Sequence, residues 1–228
     1  MARKKASSNN STTPYDILVE RILFGDYTPG MNLVEQDIAK ELRLSRTPVR
    51  EALLRLKLEG LVKIIPRGGI YVEEANVQTI RDVTEVRLVL EECLLRRAAE
   101  RCPGAILDEF DAWLKDVEPT WSQLQPRQWL ERDDEFHQFL YRAGGNQTLA
   151  NHLTLLRRKA VLFWSQLGER YNSLEGIIDD FREIVSALKA RDAEKCVATI
   201  GHHVLADLDR IQRFLKPDPI KLSFLSSN

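Results

Sequence analysis

The chain has 228 residues, which is long enough for two domains with cores of their own. Its hydrophobic content of 43% and charged content of 29% are those of an ordinary globular protein. No apolar run approaches the roughly 20 residues that a membrane-spanning helix needs, and the polar N-terminus lacks the apolar core of a secretion signal. Three cysteines without a CxxC pair argue against a disulfide framework and a cysteine zinc site, so we expect a cytoplasmic chain with no membrane partner.

The first 75 residues predict a small domain in which three helices precede a hairpin. Apolar spacing and turn residues place three helices and then two strands over about residues 14–25, 34–42, 46–59, 61–65 and 70–73. Ser45 is a suitable N-cap for the third helix, and Gly60 ends it. This order of elements over residues 14–75 is that of a winged helix-turn-helix, preceded by a flexible basic and polar arm over residues 1–13.

Basic residues concentrate in and around the third predicted helix. Eight Lys and Arg against three Glu give residues 40–67 a charge of 8 − 3 = +5, although the whole chain carries −1. At about 100° per residue, Arg46, Arg50 and Lys57 cluster away from the apolar face of the helix. Arginine at a helix start can donate two hydrogen bonds to guanine in a DNA major groove. Solvation of an ordinary charged surface is the alternative interpretation.

Two further residues extend this basic surface. Thr47, together with the amides at the helix start, suits contacts with phosphates. Arg67 lies at the tip of the predicted hairpin, from where it would reach a neighbouring groove or phosphate. The surface as a whole therefore predicts contact with double-stranded DNA.

From residue 76 onward the pattern predicts only helices. Six segments have helical periodicity, at about 77–101, 105–117, 126–143, 147–169, 173–190 and 192–215. We therefore expect a mostly α protein: a winged helix-turn-helix with a small β-hairpin, plus an all-α bundle of about six helices over residues 76–216. Residues 217–228 are predicted to form a loosely held tail.

Arg87 lies inside the apolar stripe of the helix predicted at 77–101. A buried guanidinium must be paired, because an isolated buried charge is costly. Glu91, one turn further on, is one candidate partner. A bound carboxylate ligand is the other, since arginine binds carboxylates through two parallel hydrogen bonds.

Asp133 and His137 lie one turn apart on the apolar face of the helix predicted at 126–143. His203 faces inward on the last predicted helix, whereas His202 points roughly the opposite way. Asp133, His137 and His203 could therefore converge as a metal site with one oxygen ligand, two nitrogen ligands and open positions. Histidines satisfied by hydrogen bonds within the core are the alternative that the spacing leaves open.

The motif SRTPVREAL, followed by Gly-Leu-Val and then Arg-Gly-Gly, resembles the DNA-binding domain of GntR-family regulators over about residues 15–73. The resemblance implies base or phosphate contacts at Arg46, Thr47, Arg50 and Arg67. Val34 departs from the family pattern, which often has a capping Ser there, so the start of the second helix is weakened. Gln36 stands where some members carry a DNA-contacting Arg.

Residues 79–215 resemble the FCD effector domain of the FadR-like subfamily, in its smaller variant with six helices. The matching pieces are Asp-Val-Thr-Glu-Val-Arg at 82–87, Asp133-x-x-Phe136-His137, Gly145-Asn146, and Asp192 followed by His203. Family members commonly bind a divalent metal through one Asp and three His. Asp133, His137 and His203 match three of these ligands, but Phe181 stands where the remaining His is expected and cannot ligate. The resemblance thus implies either a zinc, nickel or manganese ion in a three-ligand site completed by water or effector, or a metal-free cavity.

Together the two resemblances imply a homodimeric transcription regulator and not an enzyme. Because most such family members repress, we expect a repressor. It would bind a pseudo-palindromic operator and respond to a small-molecule effector, a carboxylate held at Arg87. Two other functions remain open. One is a ligand-independent architectural protein whose helical bundle only dimerises. The other is a metal-dependent hydrolase built on Asp133, His137 and His203, which lacks an HExxH helix and leaves the N-terminal domain unexplained.

Overall fold

The structure, a computed structural model, describes residues 13–74, 76–167 and 176–215, without the side chains of residues 166, 167 and 211–215. The chain divides into two compact units, Met1–Glu74 and Ala75–Asn228. The arm predicted over residues 1–13, apart from Thr13, and the tail predicted over 217–228 lie outside the described residues. Residues 168–175, where two of the predicted helix ends fall, lie outside them as well.

Three helices and a two-stranded hairpin form the first unit. They are α1 (Pro14–Leu23), α2 (Glu35–Leu42), α3 (Arg46–Glu59), β1 (Val62–Ile65) and β2 (Gly69–Val72). The strands pair antiparallel, and a further bridge between Asn32 and Tyr71 ties the segment before α2 to the hairpin. The core is apolar and includes the buried residues Leu18, Ile22, Val49, Leu53, Leu56, Leu61 and Val72. This arrangement confirms the predicted winged helix-turn-helix.

The boundaries of α2 and α3 follow from backbone conformation more than from side-chain capping. Arg43 (φ 55°) and Gly60 (φ 73°) adopt the left-handed conformation that ends α2 and α3. Val34 occupies the N-cap position of α2, so the helix begins one residue later than predicted, and the side chain of Val34 provides no capping bond. Ser45 is the N-cap residue of α3 as expected, but its hydroxyl makes no capping hydrogen bond.

The described part of the second unit is helical, as predicted. Its α-helices are α4 (Val77–Arg101), α5 (Gly104–Val117), α6 (Pro126–Ala143), α7 (Gln147–Leu167), α8 (Ile177–Lys189) and α9 (Ala193–Leu215). α4 packs most extensively against α9 and also contacts α6, α7 and α8, so it lies at the centre of the bundle. Within the described parts of the chain, no helix is long and apolar enough to cross a membrane.

One element of the second unit was not predicted. The segment Glu118–Gln123, part of the stretch from Pro119 to Pro126 that is predicted to separate two helices, forms a 3₁₀ helix. Pro119 fits the first turn of this helix, because backbone N–H groups there have no acceptor within the helix and proline loses no hydrogen bond. Trp121 is buried and packs edge-on against Phe181, which gives this short helix an anchor in the core.

Gly144 allows the end of α6 to approach α4 closely. A Cβ at this position would lie 2.6 Å from Cδ1 of Leu94 and 3.3 Å from the Leu94 carbonyl oxygen. Leu94 is fully buried and cannot retreat into solvent. The φ of −69° would suit any residue, so backbone conformation does not require glycine here. Close packing against Leu94 does.

We expect Gly144→Ala to lower the free energy of unfolding by about 1–3 kcal/mol, because the added methyl group overpacks the α4–α6 contact. Urea unfolding measures the change. Gly104→Ala is the matched control, since a Cβ there meets nothing within 4 Å. Equal stability of the two variants would show that α4 and α6 do not approach as described.

Candidate functional site

The basic face predicted on α3 is present and open to solvent. Arg46, Thr47, Arg50 and Lys57 are all exposed, and the side chains of the two arginines are 69% and 70% exposed. The opposite face of α3 is buried in the core of the first unit through Val49, Ala52, Leu53 and Leu56. Packing thus fixes the helix while leaving its basic face available to a partner.

Glu35 on α2 draws the two exposed arginines together. Its carboxylate lies 3.4 Å from Nη2 of Arg46 and 3.9 Å from Nε of Arg50. Exposed ion pairs of this kind contribute about 0–1 kcal/mol, so they can be exchanged for contacts with another anion. Arg67, exposed at the hairpin tip, adopts a left-handed conformation with φ 62°.

In the second unit, the three predicted metal ligands do converge. Asp133 and His137 on α6 and His203 on α9 each offer a ligand atom, and these atoms lie within 4.8 Å of one another. All three side chains are buried. Oδ1 of Asp133, Nε2 of His203 and both ring nitrogens of His137 have no hydrogen-bond partner among the residues that the structure describes. Buried polar atoms are rarely left unsatisfied, so this cluster of unpaired atoms makes the three residues the candidate ligand-binding centre of the second unit.

Asp180 on α8 holds the ring of His203 from the side away from the other two residues. Nδ1 of His203 lies 3.3 Å from Oδ2 of Asp180, which leaves Nε2 directed to Asp133, with Oδ1 3.9 Å away. A carboxylate that accepts from one ring nitrogen in this way orients the other nitrogen for a metal or ligand. Oδ1 of Asp180 also lies 3.3 Å from Nδ1 of His202, whose side chain is 73% exposed.

Sequence reasoning missed Arg157, which lies on α7 and is 2% exposed. Its Nη2 donates to Oδ2 of Asp133, and its Nε lies 3.2 Å from Oδ1 of Asp134. Arg157 therefore neutralises Asp133 while leaving Oδ1 of that carboxylate free. The signal was present, because Arg157 interrupts an apolar stripe with helical spacing, just as Arg87 does, between Leu153 and Val161.

Arg87 is buried and forms an ion pair with Glu91, one of the two partners considered from the sequence. Its Nε and Nη2 both donate to Oε1 of Glu91, at 2.9 and 2.8 Å. The second oxygen of Glu91 is buried with no partner in the described chain. The structure therefore shows Glu91 as the partner of Arg87, and a carboxylate bound at Arg87 stays a prediction. The charge of Arg87 also acts on His137 and lowers the pKa of that residue.

Electrostatics shifts the pKa values of the two site histidines in opposite directions. Burial, reinforced by the charges of Arg157 and Arg87, lowers the pKa of His137 well below its ordinary value, so its imidazole is neutral. Burial also acts to lower the pKa of His203, but the hydrogen bond to Asp180 and the nearby carboxylates outweigh it and raise that pKa. A neutral His137 keeps a lone pair for a ligand.

Phe181 occupies the position at which the FCD resemblance implies a further metal-binding histidine. Its ring stacks on Phe136 with the centroids 3.8 Å apart, and the centroid of His203 lies 5.3 Å away. The aromatic pair forms an apolar wall beside the polar cluster. The donor set that remains, one carboxylate oxygen and two imidazoles with unpaired atoms, fits a divalent ion with open positions.

Comparison with known proteins identifies two family models in the chain. Residues 11–72 match the family model of bacterial regulatory proteins of the gntR family, and residues 82–206 match the FCD domain. The HTH-type transcriptional repressor RspR of Escherichia coli (strain K12) is 26% identical over 200 residues, which cover 86% of this chain and 88% of RspR. The Nta operon transcriptional regulator of Aminobacter aminovorans is 26% identical over 191 residues, covering 83% of this chain and 89% of that protein.

Among solved structures, Escherichia coli McbR/YncC has the same fold, with a TM-score of 0.74 at 21% identity over 88% of this chain and 96% of that one. The matched family model and the curated relatives are those of helix-turn-helix transcription regulators. The chain belongs to the GntR family, with an FCD domain following its DNA-binding domain.

We expect Arg157→Met to lower the free energy of unfolding by about 3–5 kcal/mol, because it leaves the buried carboxylate of Asp133 without a counter-ion. Thermal or urea unfolding measures the loss. Lys159→Met, on the same helix but partly exposed, is the control and should be nearly neutral. Adding Asp133→Asn to Arg157→Met should recover part of the stability; two strictly additive losses would show that the residues do not interact.

Proposed function

We propose that this regulator represses transcription by binding an operator through α3, and that a small carboxylate bound in its second unit relieves the repression. In this proposal residues 14–75 bind DNA, and residues 76–216 dimerise and bind the effector. The observation that carries it is the basic face of α3, where two arginines with side chains about 70% exposed stand at the helix start. The name of its relative RspR supports a repressor.

The proposed DNA contacts divide into those that read sequence and those that hold the backbone. Arg46 and Arg50 would reach guanine edges in the major groove, whereas Thr47, Lys57 and Arg67 would contact phosphates or the neighbouring groove. A homodimer would place two copies of α3 on the halves of a pseudo-palindromic operator.

The proposed effector is an organic acid, and Arg87 is the residue proposed to anchor it. A guanidinium is suited to a carboxylate because its donors match both oxygens. Effector binding changes operator affinity only if the acid binds one arrangement of the dimer more tightly than the other.

A divalent ion, whether zinc, nickel or manganese, is proposed to bind Asp133, His137 and His203. The support is the set of unpaired ligand atoms within 4.8 Å of one another. Such an ion would supply a Lewis-acidic centre for the carboxylate of the effector. This chain contributes the orientation of His203 through Asp180 and the compensating charge of Arg157.

The double variant Arg46→Ala, Arg50→Ala should bind an operator at least about thirtyfold more weakly, a loss of about 2 kcal/mol or more. The operator is selected from random duplexes with the unmodified protein, and binding is measured by fluorescence anisotropy at several salt concentrations. Arg142→Ala, an exposed arginine of the second unit, is the control. Binding by the double variant at unchanged affinity would overturn the role of α3.

The metal assignment predicts about one equivalent of zinc, nickel or manganese per chain after exposure to the ion and desalting. His137→Ala or His203→Ala should weaken binding about tenfold or more, because each removes a ligand. His152→Ala, an exposed histidine on α7, is the matched control and should bind like the unmodified chain. Less than about a tenth of an equivalent in the unmodified protein would rule out the metal.

A further inference from the structure

Glu91 and Tyr141 leave two more buried polar atoms beside the proposed effector site. Oε2 of Glu91 and Oη of Tyr141 are buried, and neither has a hydrogen-bond partner within the described residues. Glu91 is 1% exposed and Tyr141 is 2% exposed, so bulk water does not satisfy them. An unsatisfied buried group of this kind is costly, so a bound group or an ordered water is expected to pair with it.

The two atoms belong to the surroundings of the metal ligands. Tyr141 lies one turn beyond His137 on α6, with the ring centroids 5.9 Å apart. Burial, and then the charge of Glu91, raise the pKa of Tyr141, so its hydroxyl stays protonated. The charges of Arg87 and Arg157 act in the opposite direction and are outweighed. Glu91 is held in place by Arg87, which uses Nε and Nη2 on Oε1 alone.

The chemistry of the unpaired atoms specifies what can satisfy them. A carboxylate oxygen only accepts hydrogen bonds, so Oε2 of Glu91 requires a donor. The carboxylate of an effector has no proton to donate, and neither does a keto group. The tyrosine hydroxyl both donates and accepts, so it can bond to the same group. A hydroxyl or a protonated amine on the ligand meets both requirements.

We infer that the effector is a small acid that also carries a hydroxyl or amino group, and that Glu91 and Tyr141 form the subsite for that group. This inference rests on the proposed carboxylate effector and narrows its class. Arg87 and the metal ligands would bind the carboxylate, while Glu91 and Tyr141 would select for the second group. A site built to bond a donor discriminates strongly against an analogue that lacks it, because its own buried atoms then stay unpaired.

The test compares matched acids that differ only in the second group. Calorimetric titration of the zinc-treated full chain uses three sets: propionate, lactate and alanine; succinate, malate and aspartate; hexanoate, 6-hydroxyhexanoate and 6-aminohexanoate. We expect a substituted acid of at least one set to bind at least about tenfold more tightly than its parent. Tyr141→Phe, a nearly isosteric change, should reduce that preference severalfold, whereas Tyr71→Phe in the first unit should not.

Glu91→Gln separates the two donor groups. The glutamine amide can donate to a hydroxyl oxygen, so binding of a hydroxy acid should be partly kept. A protonated amine cannot accept that bond and should lose its advantage over the parent acid.

Equal affinity of parent and substituted acids would overturn the subsite and leave the carboxylate effector standing, with ordered water as the partner of Glu91 and Tyr141. Failure of every acid to bind would overturn the subsite and the carboxylate effector together. A preference unaffected by Tyr141→Phe would place the subsite elsewhere.

Discussion

The second unit depends on one constraint: it buries ionisable side chains that have more hydrogen-bonding atoms than their internal partners can pair. Transferring a charge into the interior costs several kcal/mol unless a partner compensates it. Arg87 with Glu91, and Arg157 with Asp133, meet that condition for the charges. They leave single oxygens of both carboxylates, and the free nitrogens of two histidines, without a partner in the part of the chain described. A binding site explains this pattern, because its polar atoms are reserved for a ligand.

The same constraint links the bundle to its proposed regulatory role. The proposed ligand atoms belong to α4, α6 and α9, and α7 and α8 supply supporting contacts. A ligand that pairs these atoms would therefore bear on five helices at once, including the central α4. Phe181 and Phe136 give the cluster one apolar wall where the FCD resemblance implies another ligand. With one protein ligand fewer than a four-ligand metal centre, the site is expected to need the effector or water to complete the coordination of a metal ion.

Local signals in the sequence were sufficient for much of this arrangement. The bounds of α3 follow from its capping residues, and its basic face and the Arg87–Glu91 pair follow from helical periodicity. Periodicity also placed Asp133, His137 and His203 on inward faces, and the FCD resemblance implied that they meet across two helices. Arg157 was accessible to the same reasoning and was overlooked. Asp180 was not, because its contact with His203 joins residues on different helices and depends on how α8 packs against α9. The 3₁₀ helix at Glu118–Gln123 was also missed, since Pro119 and Pro126 indicated a break between helices, while the burial of Trp121 depends on tertiary packing.

Nitrogen chemical shifts of the histidine side chains test the central claim most directly. Long-range ¹H–¹⁵N spectra of the full chain would be recorded before and after addition of zinc. The account predicts large changes for His137 and His203, whose unpaired nitrogens acquire a partner, and none for the exposed His152. Unchanged signals from His137 and His203 at saturating zinc and in the presence of the acids would contradict it, because the unpaired atoms would then be a feature of the core and not of a binding site.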